Sequence, residues 1–415
     1  MNPDFKLTEN DIKIRQENVL EMMDSGIKAQ ATKESIYKVL RYFLINVCED
    51  LLQGSFEKRA QQFVEIARDD QTKATSIIIA YVKRLRERTA LNKSDQYYMN
   101  PSTLPNKVKP IKKLISMNDL GLPWKRIQAF YPERDNTYSG RGYTRDEIKK
   151  LLEYSQWIET DFIILAASSG GLRVGAWTGL RWSSVFPIYM VDGQYKIELT
   201  KGEAAKVVCG AMTVYGGSPN EYTALISIEA WEKLAEYKKV WTRTMSRQPA
   251  DSDPLILERG TKPGPLSQKA IKARLSKLLL ESGLRTPLTE GKRRYEVPVT
   301  HGFRRYWDKV MMQTKSSKGT LSALVIKERL LGHDGIIKTD KNYFWTDVLE
   351  HVSEYLGAMT ELMIGDEYRL KGQLQKQKLE TQRLEQANKE KELALERLSE
   401  LEAKVERMQK YQIMK

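Results

Sequence analysis

The stretch that most limits what this chain can be runs from Thr300 to Trp345. It opens with His301-Gly302-Phe303-Arg304-Arg305, passes through a helix-like segment ending Leu330-Leu331-Gly332-His333, and closes on Tyr343. The whole protein has only 3 histidines; His301 and His333 lie here and the third, His351, follows just downstream. A fold that brings an HxxR, an LGH and a tyrosine ten residues further on into one place holds an economical set for phosphodiester chemistry without a metal. Arginine is the fork-shaped phosphate binder, histidine moves protons near neutral pH, and tyrosine is a nucleophile that can form a covalent phosphoester.

Composition bounds the rest. At 415 residues the chain has room for two or three domains, each with its own core. A net charge of +14 and a pI near 9.4 favour a polyanionic partner, nucleic acid ahead of an anionic membrane. The two cysteines, Cys48 and Cys209, lie far apart with no CxxC spacing. That argues against a disulfide scaffold or a cysteine-based zinc site and suits a reducing compartment. The N-terminus, MNPDFKLTENDIK, has no apolar core of a signal peptide, and runs such as Phe162 to Ala167 are far short of a membrane span. The expectation is a soluble, cytoplasmic protein with no cofactor and no membrane partner.

Along the chain, residues 1–54 read as helical. Ile36, Val39, Leu40, Phe43, Leu44, Val47 and Leu51 recur on one helix face, and Gly54 follows as a stop. The helical pattern resumes from Phe63 to Leu85, with Ile77-Ile78-Ile79 expected inside and Arg84, Arg86, Glu87 and Arg88 outside. Pro101, Pro105 and Pro110 punctuate a basic stretch with Lys107, Lys109, Lys112 and Lys113, which reads either as a DNA-backbone face or as a solvated charged surface. Residues 136–142 are short, polar and glycine-rich, as a linker would be. Immediately after them, Thr144-Arg145-Asp146-Glu147 has capping-box form, with Tyr143 and Ile148 at the positions of a hydrophobic staple. A new helix and a new domain are expected to start there.

Asp161 to Ala167 predicts an apolar helix ending at Gly170-Gly171, followed by Leu172-Arg173. No Lys-Ser/Thr follows these glycines, and no strand and acidic partner complete a dinucleotide fingerprint, so phosphate-loop and Rossmann readings fail. Arg173 just past the break is either aimed out of the core for function or simply a surface arginine. Tyr195 to Thr200 alternates, Lys201-Gly202-Glu203 turns, and Ala205 to Thr213 returns, which predicts a hairpin with Lys201 at its tip. Ser267 is the expected N-cap of a helix to Glu281, with Ile271, Leu275, Leu278 and Leu279 buried and Gly283 as terminator. A basic patch, Lys292-Arg293-Arg294, leads into the His301 motif. Residues 366–415 contain 12 Lys/Arg and 10 Asp/Glu, a net of +2, which leaves +12 for residues 1–365. The charge signal for nucleic acid therefore lies in the body. In the tail, Ala394, Leu398, Leu401, Val405 and Met408 keep heptad spacing and predict a short coiled coil, whereas residues 373–391 keep it poorly and read as a solvated single helix.

Taken together, Gly171-Leu172-Arg173 with Gly179-Leu180-Arg181-Trp182, Lys201-Gly202, His301-Gly302-Phe303-Arg304, Leu331-Gly332-His333 and Tyr343 resemble the tyrosine recombinase (integrase) family. Each motif is weak alone, but their order within one domain-sized stretch, about 143–365, is specific. The long helical tail is similar to those of archaeal mobile-element integrases. The resemblance implies a mostly α fold with a small β-hairpin or sheet (α+β). Its parts would be an N-terminal helical segment (1–54), a helical core-binding, DNA-binding domain (55–135), the linker (136–142), the catalytic domain (143–365) and the charged helix or coiled coil (366–415).

It also implies roles. Arg173 and Arg304 would clamp the non-bridging oxygens of a phosphodiester. Tyr343 would attack to give a 3′-phosphotyrosine and a free 5′-hydroxyl, so that strands rejoin without ATP. Lys201 would protonate the departing oxygen, His301 would assist proton transfer, and His333 would hydrogen-bond the phosphate. Lys206 is the rival for Lys201, Tyr355 and Tyr368 are the rivals for Tyr343, and His351 reads as structural. Two positions depart from the family's pattern: Ala176 stands where an acidic residue is usual three after the first arginine, and Ser184 replaces another acidic residue further on. The spacing of ten from His333 to Tyr343 is one more than is usual. The implied partners are double-stranded DNA and further copies of the chain, as a tetramer on paired sites. Readings left open are a type IB-like topoisomerase or resolvase using the same chemistry, and a non-catalytic DNA-binding or architectural protein.

Overall fold

The computed structural model describes residues 18–133, 140–258, 260, 264–288, 294–314, 320–333 and 348–413. Two compact units divide the chain: residues 1–139 with 288–295, and residues 140–287 with 296–415.

The first unit is helical: α1 (Val19–Ser25), α2 (Gln30–Tyr42), α3 (Phe56–Asp69), α4 (Gln71–Ala90), α5 (Leu104–Met117) and α6 (Trp124–Gln128). A π-helical turn, Phe43–Val47, extends α2, and the guanidinium of Arg59 donates to its Leu44 and Ile45 carbonyls at 3.2 and 3.1 Å. The single helical run expected beyond Phe63 is two helices. Asp70 ends α3 and accepts from the Lys73 amide at 2.8 Å to begin α4, because a short carboxylate satisfies the free amides of a new first turn. Of Ile77, Ile78 and Ile79 only Ile78 is fully buried. The prolines do not break the basic stretch. Pro105 sits in the first turn of α5, where its missing N–H costs nothing, and Pro110 is carried inside the helix, among the residues buried on its packed face. One core runs through the unit from Val19 to Ile127, with Phe43 edge-on to Phe63 at 5.3 Å.

The second unit is built round α8 (Ile158–Gly170), buried from Phe162 to its end, as an all-round apolar helix must be. Against it lie α7 (Arg145–Tyr154), α9 (Ile228–Met245), α11 (His301–Gln313), α13 (Val348–Leu362) and strand β4. The capping box opens α7 as expected: the Thr144 hydroxyl accepts from the Glu147 amide at 3.2 Å and the Glu147 carboxylate from the Thr144 amide at 2.8 Å. Tyr143 and Ile148 are both buried, completing the staple. Helix α10 (Gln268–Glu281) also matches, with Ser267 capping at 3.2 Å and Ile271, Leu275, Leu278 and Leu279 buried.

The sheet corrects the hairpin. Four antiparallel strands, β1 (Val185–Val191), β2 (Gln194–Lys196), β3 (Lys206–Val214) and β4 (Tyr222–Ile226), lie in the order β2-β1-β3-β4. The tight hairpin joins β1 to β2 through Asp192-Gly193, whose φ values of 47° and 81° are those of a two-residue primed turn that matches strand twist. The segment after Lys196 therefore does not pair with β3; β1 lies between them, and Lys201 sits on a connecting turn. Pro187 is tolerated in β1 because β2 reaches only Tyr189, leaving β3 as the sole neighbour at that level.

After α12 (Thr320–Leu330) and α13, the chain ends in a 48-residue helix, α14 (Asp366–Ile413). Its start is fastened: the Glu229 carboxylate accepts from the Ile364 and Gly365 amides, each at 2.8 Å, and Asp366 pairs with Arg145 and, at 2.6 Å, with Lys149. The heptad residues Leu398 and Leu401 are exposed, while the side chains of Val405 and Met408 lie outside those described.

Candidate active site

The site is made where two helices stop. Helix α8 ends at Gly171, whose φ of 63° is left-handed, and its amide returns to the Ala167 carbonyl at 3.1 Å. A side chain here would also collide, since a Cβ would stand 2.8 Å from Leu331 Cδ2. Helix α12 ends at Gly332, φ 63°, in a Schellman motif: the Gly332 amide donates to Arg329 O at 2.8 Å and the His333 amide to Glu328 O at 3.0 Å. The two glycines the sequence placed in GLR and LGH are thus helix terminators. They leave carbonyls exposed at the negative ends of two helix dipoles.

Two arginines use those carbonyls. Arg304, one turn into α11 and 7% exposed, donates to Gly171 O at 2.8 Å and Leu331 O at 2.7 Å. Its second amino group also meets His333 Nε2 at 2.8 Å. Arg173 donates to Leu331 O at 3.3 Å and Gly332 O at 3.4 Å, so both guanidiniums converge on one short backbone segment. Neither forms an ion pair among the described residues. Burial and the like charge of Arg173 work against the charge of Arg304, which Tyr222 and Asp308 partly offset. Dipoles orient these cations without cancelling them, so the pair keeps its positive charge and is able to receive an anion.

His301 opens α11. Gly302 behind it admits the Tyr143 ring, which a Cβ would meet at 2.4 Å, and the Tyr143 hydroxyl donates to Val299 O at 3.0 Å. Lost hydration, then the charges of Arg304, Arg305, Arg173 and Lys272, lower the His301 pKa below its usual 6.5. It is a neutral imidazole at pH 7, able to accept a proton. His333 lies between Arg304 and Glu328, its Nδ1 at 2.6 Å from Glu328 Oε2.

No bond among the described residues ties Lys201 or Lys206 to this cluster. Lys201 and Lys206 are exposed, and neither side chain forms a hydrogen bond or ion pair among the described residues; Glu203 on the same turn as Lys201 is held by Lys196 at 2.6 Å. Tyr343 lies outside the described residues. Its rivals are engaged elsewhere. Tyr355 is fully buried on α13, its hydroxyl donating to Ser169 O at 3.0 Å and its pKa pushed well up by burial; the Tyr368 hydroxyl bonds Glu232. His351 is buried on α13. Ala176 is 1% exposed, and Ser184 caps a short turn by accepting from the Arg181 amide at 3.1 Å.

Two residues of the site were not expected from the sequence. Glu328 stands five before His333, a spacing that the Schellman turn closes. Tyr222 on β4 packs its ring on Gly332, where a Cβ would lie 2.3 Å from it. Its hydroxyl is buried beside the Arg304 guanidinium, within hydrogen-bonding reach of it, and feels the charge of Arg173 as well. A tyrosine at the start of a strand carries no signal that could have singled it out. Among the described residues no cluster of His, Cys, Asp or Glu could hold a metal ion, and no helix is long and apolar enough to cross a membrane.

No family model matches the chain, and no curated protein does. Among solved structures it is similar to XerA recombinase, at 16% identity over 83% of this chain and 97% of that one, with a TM-score of 0.33. It is similar also to the XerH site-specific recombinase in a post-cleavage complex with its palindromic difH substrate, at 14% identity over 77% and 94%, TM-score 0.43. A lambda integrase dimer bound to a COC′ core site gives 15% identity over 82% and 88%, TM-score 0.36. These are tyrosine recombinases, the class the motifs resemble; the likeness is distant and assigns no role to any residue.

Proposed function

We infer that the chain is a site-specific DNA recombinase or integrase that cleaves and rejoins strands through a 3′-phosphotyrosine link. The observation that carries this reading is the convergence of Arg173 and Arg304 on the ends of α8 and α12, beside His333 and His301, with no carboxylate paired to either arginine among the described residues. Two fixed guanidiniums suit the non-bridging oxygens of a phosphodiester, on which charge accumulates as the phosphorus is attacked. In this reading the Tyr343 phenol forms a bond to phosphorus and the bond to the 5′ oxygen breaks. The phenolic proton passes towards neutral His301, and Lys201 supplies a proton to the leaving oxygen. Rejoining is the reverse, with the bond energy conserved in the protein link. The helical first unit, with its lysine-bearing α5, would bind the duplex, and α14 would bring copies of the chain together on paired sites. The site of action would be intracellular, on DNA.

The test is capture of covalent protein–DNA adducts under denaturing conditions, from cells carrying the DNA that flanks the gene, followed by sequencing of the trapped DNA. Adducts lost only in Tyr343→Phe, and kept in Tyr355→Phe and Tyr368→Phe, with ends clustered at one sequence, are expected. Scattered ends would indicate a topoisomerase. Salt-sensitive DNA binding with no adduct from any form would indicate a non-cutting DNA-binding protein.

A further inference from the structure

The hydrogen bonds of His333 fix where its proton lies. Arg304 is a donor only, since a guanidinium keeps its protons in proteins. The 2.8 Å contact between its amino group and His333 Nε2 therefore requires Nε2 to be the acceptor, with a free lone pair. A neutral imidazole with a bare Nε2 carries its proton on Nδ1, and Nδ1 stands 2.6 Å from Glu328 Oε2. The backbone supports the same arrangement, because the His333 amide donates to the Glu328 carbonyl at 3.0 Å in the Schellman turn. The sequence Glu328-Arg329-Leu330-Leu331-Gly332-His333 thus ties the histidine to the glutamate at two points.

We propose that Glu328 is a positioning residue that locks His333 as the Nδ1–H tautomer, so that Nε2 holds the Arg304 fork in place. This rests on the reading of the arginine pair as the phosphate clamp. It differs from the role the family resemblance implies for His333. In this chain the ring acts first on Arg304, as an acceptor, and Glu328 decides that it can. The Arg304 amino group is then fully used, by Leu331 O and His333 Nε2. Its other amino group donates to Gly171 O, and the guanidinium hydrogens beyond these bonds face the Tyr222 hydroxyl and a ligand. Glu328 lies near Lys327, at 3.9 Å, but Lys327 is itself bound more closely to Asp308 at 2.9 Å, so the carboxylate's nearest partner is the imidazole.

With only 3 histidines in the chain, long-range proton–nitrogen NMR correlations of labelled protein can resolve each ring directly. His333 is expected as the Nδ1–H tautomer in the wild type. In Glu328→Gln, whose amide can present either oxygen or nitrogen to the ring, that tautomer should no longer dominate, while His301 and His351 stay unchanged and report an intact fold. A wild-type His333 protonated on Nε2, or an unchanged tautomer in Glu328→Gln, would overturn the proposal. The second arm is single-turnover adduct formation. Glu328→Gln should slow it about 10- to 100-fold, the usual loss when the carboxylate behind a functional histidine is removed, with Glu328→Asp recovering part of it. In a His333→Ala background Glu328→Gln should add nothing; an equal, additive loss there would mean that Glu328 acts by some other route. Wild type that forms no adduct would sink the recombinase reading, and the NMR arm would still decide the tautomer.

Discussion

Arg304 and Lys201 are both cations that the sequence singles out, and the fold treats them in opposite ways. Arg304 is 7% exposed, and its guanidinium is held by carbonyls at the ends of two helices and by an imidazole. Lys201 stands exposed on the turn between β2 and β3, with no such partner among the described residues. The contrast matches two kinds of chemical work. Stabilising a developing charge rewards groups that are already oriented, because they need not reorganise when the charge appears. Delivering a proton to a leaving atom rewards reach, and a lysine on a turn can be brought to a ligand that arrives with its own shape.

The comparison breaks most visibly at Arg304. Arg304→Ala removes a proposed phosphate donor and strands the Gly171 carbonyl, while Leu331 O keeps only the longer bond from Arg173 at 3.3 Å. Adduct formation should fall by at least the factor of about 10²–10³ that follows loss of one oxyanion donor. The Gly171 acceptor left bare should also cost about 1–3 kcal/mol in a denaturant titration. Arg304→Lys should not rescue either quantity, since a single ammonium cannot span both carbonyls. Lys201→Ala should behave differently: a loss of about 10²–10⁴ in cleavage, typical of a missing acid, with unchanged unfolding and DNA binding. A substrate with sulfur in place of the 5′ bridging oxygen leaves without a proton and should restore the rate. If Lys206→Ala shows this pattern and Lys201→Ala does not, the acid is Lys206.

The same contrast separates what could be read in the sequence from what could not. Local rules held where a few adjacent residues decide the outcome: the box of Thr144 and Glu147, the Ser267 cap, and the stop at Gly171. They failed where pairing between distant segments decides. Tyr195 to Thr200 alternates like a strand, yet Asp192-Gly193 had already turned the chain, and β1 claimed β3 as its partner. Arg173, Arg304 and His333 were legible as motif residues, but not the carbonyls that orient them, because every residue has a carbonyl. Tyr222 was illegible for a related reason: only the left-handed turn at Gly332 gives its ring a place beside the arginines.

Gly332→Ala sharpens this point at intermediate size. A non-glycine residue at φ 63°, with its Cβ against the Tyr222 ring, should cost about 1–3 kcal/mol of stability, and cleavage should fall with it. Tyr222→Phe keeps the ring and removes only the hydroxyl beside Arg304, so unfolding should change by no more than about 1 kcal/mol. A cleavage defect in that variant would identify the hydroxyl as part of the proposed phosphate site, acting on the ligand directly or through Arg304.

The smallest expected effect concerns pH, and it tests the electrostatics of the whole cluster. The pKa of His301 is lowered from 6.5, because lost hydration and the surrounding cations oppose the imidazolium. The neutral ring therefore persists in the folded protein below the pH at which the unfolded chain takes up its proton. Its contribution to stability is complete above pH 6.5 and declines as the pH falls from there through the lowered value. A proton acceptor of this kind should give the second-order cleavage rate, which reports the free enzyme, an acid limb with its midpoint below 6.5. In Arg173→Gln one opposing charge is gone and the midpoint should move up towards 6.5, whereas His301→Gln should lose the limb altogether. A limb that ignores Arg173 would separate His301 from the arginine pair, and the proton acceptor would then have to be sought at another group.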